Sequence, residues 1–305
     1  MNEGKSSPLR VERLKIKHLS WFGVSRTNPK ARQLEIMLLK GWLSGLEVSL
    51  RKIIPPRNPY SLVATEDNIP IAFIAIKPFN RRGTTWISSN PVFFSQSQSY
   101  GQRQIFLELL KTAIETERIE TQSWLLNCDC NDTDNIEVAR ELGFKPIKKY
   151  KCWKPTISLI KNQDTDSKKE LSNRINWENI THMNALLISK IEKASESMHT
   201  RNILDRQAID LLDQRNKFTG VVLDNRSNVQ SALLALFKID GYSDKLNLLL
   251  VRDLALDSRL DEIIPKVLAS LKPIEDKLVL HTTEDDDYLT SKLESLGWKE
   301  LNTRT

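Results

Sequence analysis

Cysteine is scarce in this 305-residue chain, and so are the features that mark several large classes of protein. Three cysteines, an odd number, are too few for a disulfide framework and fit a reducing compartment. Cys128 and Cys130 are near neighbours, but no second Cys or His pair follows at zinc spacing, so no metal is expected. No apolar run approaches the roughly 18–20 residues that span a bilayer, and the stretch from Met1 to Pro8 lacks the apolar segment of a signal peptide. A cytoplasmic protein without a membrane anchor is expected. His18, His182, His199 and His281 have no acid, Ser or Cys at diagnostic spacing, which argues against a hydrolytic triad.

What remains is a chain with 40% hydrophobic and 28% charged residues, the balance of a packed soluble protein. At about 100–200 residues per domain, its length favours two domains. Charge is unevenly divided. Lys and Arg outnumber Asp and Glu by 24 to 15 in residues 1–155 and are outnumbered 21 to 24 in residues 156–305.

A repeat supports the same division. Ser123 to Phe144 can be set over Lys277 to Trp298 without a gap, each running from an apolar strand through an acidic cap and a helix to Leu-Gly-aromatic. Leu125 falls over Val279, Asp132 over Asp286, and Leu142-Gly143-Phe144 over Leu296-Gly297-Trp298.

The order of elements repeats as well. In the first half a strand is expected from Val11 to Lys17 and helices between Lys30 and Lys52. A hairpin follows, Ser61 to Thr65 and Ile69 to Lys77, then a third strand from Thr84 to Ser88. Next comes an amphipathic helix carrying Ile105, Phe106, Leu109, Leu110 and Ala113 on one face. Residues 161–170 are polar with little to bury and read as a linker. The second half then gives helices from Trp177 to Ala194 and Asp205 to Gln214, strands from Phe218 to Leu223, Val229 to Phe237 and Lys245 to Val251, and a helix from Arg259 to Leu271. Pro265 should kink that last helix.

This succession resembles the GNAT acetyltransferase superfamily, in two tandem copies covering nearly the whole chain. The resemblance implies an α/β fold in which each domain is a central, mostly antiparallel mixed sheet flanked by helices. It places an N-terminal domain at 1–155, a linker at 156–173 and a C-terminal domain at 174–305. It also implies that acetyl-CoA or another acyl-CoA is a substrate and that an amine is the acceptor.

In that family the third core strand leads into a loop of the pattern Gln/Arg-x-x-Gly-x-Gly/Ala, whose amides hold the CoA pyrophosphate at a helix N-terminus. The match here is Gln98-Ser99-Tyr100-Gly101-Gln102-Arg103, with Arg103 where the family prefers a small residue. Arg103 would either obstruct the phosphate or pair with it. The family's CoA-contacting Asn before the last helix corresponds to Asp132, beside Asn131; both residue types also make good helix caps. The second half has no glycine in Val251 to Asp257, so its domain is expected to keep the fold and to have lost the pyrophosphate site.

Catalytic residues are not assignable. Where the family often has a proton-donating Tyr, the two copies carry Ala139 and Leu293, and the strand from Thr84 to Ser88 has no acid or His. Glu66 and Asp67 read as solvated acids of a hairpin turn. The basic run from Lys145 to Lys154 suits a nucleic-acid surface, but its alternation fits a terminal strand better. The expectation is an N-acyltransferase. The alternative is a non-catalytic tandem module that binds CoA, a protein partner or RNA.

Overall fold

The computed structural model describes residues 8–15, 18, 59–116, 121–156, 175–224, 230–239 and 245–305. The helices expected between Lys30 and Lys52 lie outside them, as does the linker expected at 156–173 apart from Thr156. Two compact units emerge. One is drawn from Met1–Cys128, Asp132–Lys145 and Ile203–Asp205, the other from Asp129–Asn131, Pro146–Asn202 and Arg206–Thr305.

The first unit is built on a mixed sheet of β1 (Arg10–Arg13), β2 (Tyr60–Glu66), β3 (Ile69–Pro78), β4 (Thr85–Ser88), β5 (Val92–Phe93) and β6 (Ser123–Leu126). The order is β1-β2-β3-β4-β6, with β5 also on β3; β4 and β6 run parallel and the other pairs antiparallel. Asp67 and Asn68 take positive φ, 53° and 63°, which suits the tight β2–β3 turn. Two helices complete the unit, α1 (Gln102–Thr116) and α2 (Thr133–Glu141). The five apolar residues expected on one face of α1 are all buried, against Tyr60, Leu62, Ile74, Ile76 and Trp86. Burial of this kind stabilises by about 1.5–3 kcal/mol per large side chain.

The second unit has β7 (Tyr150–Pro155), β8 (Ile175–Glu178), α3 (His182–Ala194), α4 (Met198–Leu204, whose last two residues are grouped with the first unit), β9 (Gly220–Asp224), β10 (Ser231–Lys238) and β11 (Leu246–Arg252). It ends with α5 (Leu260–Ala269), β12 (Leu278–Thr283), α6 (Asp287–Ser295) and β13 (Trp298–Arg304). Its sheet order is β13-β7-β12-β11-β10-β9-β8, parallel only at β11/β12. Period-2 alternation fills both faces: Leu248 and Leu250 pack with α5, while Leu249 and Val251 pack with α3. The helix α5 runs through Pro265.

Two expectations need correction. The residues around Trp177, expected to begin a helix, form β8, with Trp177 opposite Val222. The helix starts later, at a capping box in which Thr181 and Asn184 satisfy each other's backbone amides. The second concerns β7, which the expected boundary at 155 assigns to the first half. By its hydrogen bonds it belongs to the second sheet, between β12 and β13, where Cys152 and Trp153 are fully buried and the Trp153 indole donates to Thr282 Oγ1 at 2.9 Å.

The repeat is a structural one. Asp132 and Asp286 are N-caps of α2 and α6 with closely similar backbone angles, Leu142 and Leu296 are the C-caps, and Gly143 and Gly297 follow at φ 84° and 78°. Both glycines stand where a helix ends in the left-handed conformation, which any side chain would strain. The strand exchange generates a test. Trp153→Ala should cost about 3–5 kcal/mol. Hydrogen exchange should rise in Leu278–Thr283 and Trp298–Arg304 and leave Tyr60–Pro78 unchanged; the opposite pattern would place β7 in the first sheet.

Candidate functional site

In the first unit the parallel ladder of β4 and β6 runs from Thr85 opposite Ser123 to Ser88 opposite Leu126, and there it stops. Beyond Ser88 the chain stays on β3: Ser89 donates its N–H to Ala75 O at 2.8 Å, and Val92 and Phe93 pair with Phe73 and Ala72. Serine hydroxyls hold this bend, Ser88 Oγ donating to Ser89 O at 3.1 Å and Ser89 Oγ to Asn90 O at 2.9 Å. The two strands therefore part just past the ladder. There the side-chain oxygens of Asn90 and Asn127 are buried without a hydrogen-bond partner among the described residues.

The chain from β5 continues through the expected loop into α1. Glu66, read from the sequence as a solvated turn residue, is only 8% exposed. Its carboxylate accepts from the backbone N–H of Gln98 at 3.1 Å and of Ser99 at 3.2 Å. Hydrogen bonds from the Ser99 and Ser97 side chains, against a smaller cost of burial, hold Glu66 below the usual carboxylate range. Ser97 Oγ accepts from the N–H of Tyr100 at 2.8 Å, while the Tyr100 hydroxyl accepts from Leu9 N–H at 3.1 Å. Amides of the first half of the loop are thus already satisfied.

Those of the second half are not. The first bond of α1 runs from Ile105 N–H to Gly101 O, so Gly101 is its N-cap and the amides of Gln102, Arg103 and Gln104 have no helical acceptor. A Cβ on Gly101 would meet nothing within 4 Å. No packing against the described residues demands glycine there. The Arg103 guanidinium turns to α2, with Glu137 at 3.3 Å and Glu141 at 3.2 Å. It neither fills the space before Gly101 nor waits there unpaired.

The second unit has the same divergence, and there it lines a half-open cavity. The β11/β12 ladder ends at Leu249 opposite His281. Leu250 to Arg252 stay on β10, and Thr282 and Thr283 stay on β7. The gap holds a cavity of about 260 Å³ lined by Ala194, Ser195, Glu196, Leu250, Arg252, Thr283, Asp285 and Asp286 among others. Arg252 spans it, donating Nε and Nη2 to the Asp286 carboxylate at 3.0–3.1 Å, with its guanidinium 4.9 Å from the Tyr288 ring. Counting along the neighbouring strands, Leu234 opposite Arg252 corresponds to Ala72 opposite Phe93. The first unit thus has no arginine at this point.

No protein-family model matches the sequence, and no curated protein matches it significantly. Solved structures do match. A GCN5-related N-acetyltransferase from Sphaerobacter thermophilus aligns over 97% of this chain and 93% of its own, with TM-score 0.55 and 9% identity. A tandem GNAT protein from the clavulanic acid biosynthesis pathway aligns over 97% and 96%, with TM-score 0.52 and 12% identity. The fold is that of the tandem GNAT acetyltransferases. At this level of identity, the likeness concerns the backbone.

Within the GNAT fold, the remaining expected residues are placed as follows. Asp132 caps α2, accepting from Asn135 N–H at 3.1 Å and from the Asn135 side chain. Asn131, whose N–H donates to Asp129 at 3.0 Å, falls with the second unit. Ala139 is 9% exposed and Leu293 0%, so both are core residues. Three of the five lysines of the basic run have internal partners: Lys148 with Glu196 at 3.3 Å, Lys149 with Glu284 at 3.5 Å, and Lys151 with the Thr290 hydroxyl at 3.2 Å. Among the described residues no helix is long and apolar enough to cross a membrane.

Folding also assembles a group invisible at sequence spacing. Cys152 Sγ lies 3.4 Å from His281 Nδ1, and His281 Nε2 lies 3.1 Å from Asn247 Oδ1, across β7, β12 and β11. An amide oxygen only accepts, so Nε2 carries the hydrogen and Nδ1 receives the thiol's. The geometry is that of a nucleophile, base and orienter, but the three are 0–3% exposed. Burial pushes the Cys152 thiol up to about 11 and His281 down to about 3, so neither is charged at neutral pH. This is a neutral core network.

Two measurements check that reading. Iodoacetamide should alkylate the half-buried Cys130 in the folded protein and spare the buried Cys128 and Cys152. His281 in the unfolded chain takes up a proton below its ordinary value of 6.5, whereas the folded chain refuses it until about 3. Its contribution to stability is therefore complete above pH 6.5 and lost as pH falls towards 3, by about 1.4 kcal/mol per pH unit. Denaturant unfolding of His281→Gln should show a shallower acid slope by that amount; an unchanged slope would contradict the assignment.

Proposed function

We propose that the chain is an acyl-CoA-dependent N-acyltransferase, in its simplest form an acetyltransferase, that acts on an amine and holds the acyl donor in its first lobe. The observation that carries this reading is the pair of orphaned amide oxygens, Asn90 and Asn127, where β4 and β6 part. A buried acceptor without a donor costs about 1–3 kcal/mol. The amide N–H groups of a pantetheine arm lying in that gap would supply the donors. The pyrophosphate would then meet the first turn of α1, where free amides and the helix dipole favour negative charge.

Within the expected loop this shifts the contacts. Gln98 and Ser99 have given their amides to Glu66, so Gln102, Arg103 and Gln104 provide the backbone donors, and Gly101 provides room for a phosphate. Tyr100 anchors the loop, while Asp132 follows β6 as the cap of α2. In the transfer, a neutral amine attacks the thioester carbonyl; the C–N bond forms, the C–S bond breaks, and the thiolate takes up a proton. Orientation in a closed cleft supplies much of such an acceleration without a dedicated base.

The second reading, a non-catalytic module that binds CoA, a protein partner or RNA, is favoured by Glu66, an internal anion where the loop's first amides would otherwise face a ligand. Both readings face one experiment. Gly101→Asp puts a preferred N-cap residue on α1 and should leave thermal stability unchanged or higher. Its carboxylate should weaken acetyl-CoA binding in calorimetry by at least about tenfold, the loss of one to two charge-assisted contacts. Undiminished binding would remove the first-lobe site. Binding without thiol release across a panel of amines would leave the non-catalytic module.

A further inference from the structure

Three consecutive amides of the loop before α1 are spent inside the protein. Gln98 and Ser99 donate theirs to the Glu66 carboxylate, and Tyr100 donates to Ser97 Oγ. The Ser97 and Ser99 hydroxyls bond to the same carboxylate. Glu66 is thus a buried anion with four donors around it, two of them backbone N–H groups of the expected phosphate loop. That is the environment an oxyanion of a ligand would otherwise take there.

The donors left open are the amides of Gln102, Arg103 and Gln104, in the first turn of a 15-residue helix. Three N–H groups at one helix start suit the oxygens of one phosphate. A second phosphate needs donors or a cation of its own. The amides that precede the open set belong to Glu66 and Ser97, and the motif's own cation, Arg103, is paired with Glu137 and Glu141. The second phosphate of a diphosphate therefore meets a like charge in place of donors, which weakens binding.

We propose that Glu66 is a specificity-determining residue of the first-lobe donor site. It stands in for one phosphate of the CoA diphosphate, so the site reads the donor as an acyl thioester of 4′-phosphopantetheine and draws no affinity from the nucleotide half. This rests on the first-lobe acyl-donor reading and names the part of the donor that is recognised. The Asn90 and Asn127 oxygens, without donors among the described residues, match the amides of the pantetheine arm and offer nothing to the nucleotide.

Calorimetry of the full chain with acetyl-CoA, acetyl-4′-phosphopantetheine and acetyl-pantetheine tests it. The phosphopantetheine thioester should bind at least as tightly as acetyl-CoA, and loss of its phosphate should weaken binding by about tenfold or more. Adenosine 3′,5′-bisphosphate, the nucleotide half alone, should displace neither. Glu66→Gln removes the charge and keeps an accepting oxygen; it should tighten acetyl-CoA binding by about three- to tenfold and leave the phosphopantetheine thioester within about twofold. Gly101→Asp should weaken both phosphate-bearing thioesters and spare acetyl-pantetheine. Acetyl-CoA binding about tenfold more tightly than the phosphopantetheine thioester, displacement by the bisphosphate, or unchanged acetyl-CoA affinity in folded Glu66→Gln would each overturn the role of Glu66 and leave the donor site standing. No binding of any thioester at millimolar concentration would remove the donor site and this proposal with it.

Discussion

Both lobes share one constraint: a parallel strand pair whose ladder stops where a strand stays with its antiparallel partner on the other side, β4 in the first sheet and both strands in the second. In the first sheet β4 leads into a segment held by β3; in the second, β11 is held by β10 and β12 by β7. A strand pinned in this way cannot close on its parallel neighbour without breaking antiparallel hydrogen bonds. The gap is thus part of the fold, and a backbone gap inside a sheet needs something to satisfy the groups that face it. In the second sheet the strand that holds β12 comes from the chain before residue 156, so its cleft depends on a segment that precedes most of that unit.

The two copies answer that need differently. At the mouth of the second, Arg252 reaches the Asp286 cap with both partners about nine-tenths buried. Such a pair roughly balances desolvation against attraction, and its main effect is to fix geometry. The first copy has Phe93 at the corresponding ladder position, and among the described residues its Asp132 cap serves α2 alone and two amide oxygens have no donor. One cleft is closed by the protein's own charges, whereas the other presents unmet hydrogen-bonding capacity.

Much of this fold could be read from the sequence because it follows from local periodicity and capping. The buried face of α1, the hairpin of β2 and β3, and the matched Asp caps and Leu-Gly ends all rest on residues a few positions apart. What could not be read depends on distant partners. An alternating strand such as Tyr150–Pro155 carries no mark of the sheet it joins. Glu66 looked solvated because its acceptors' donors lie 32 and 33 residues away, and Cys152 meets His281 across 129. Arg252 left one trace, a charge directly ending an apolar strand, which invites a search for a buried acid. The motif residues from Gln98 to Arg103 were legible as a loop and helix start, but the division between its occupied and open amides was not.

The central claim is that one frame, used twice, leaves a ligand-competent cleft in the first lobe and a self-stapled one in the second. Hydrogen-exchange footprinting of the full chain with and without acetyl-CoA tests this most directly, because it reports where protection arises. The account predicts slowed exchange in 85–104 and 123–127, with 246–254 and 278–286 unchanged. Protection confined to the second set, or none in either at saturating ligand, would contradict it.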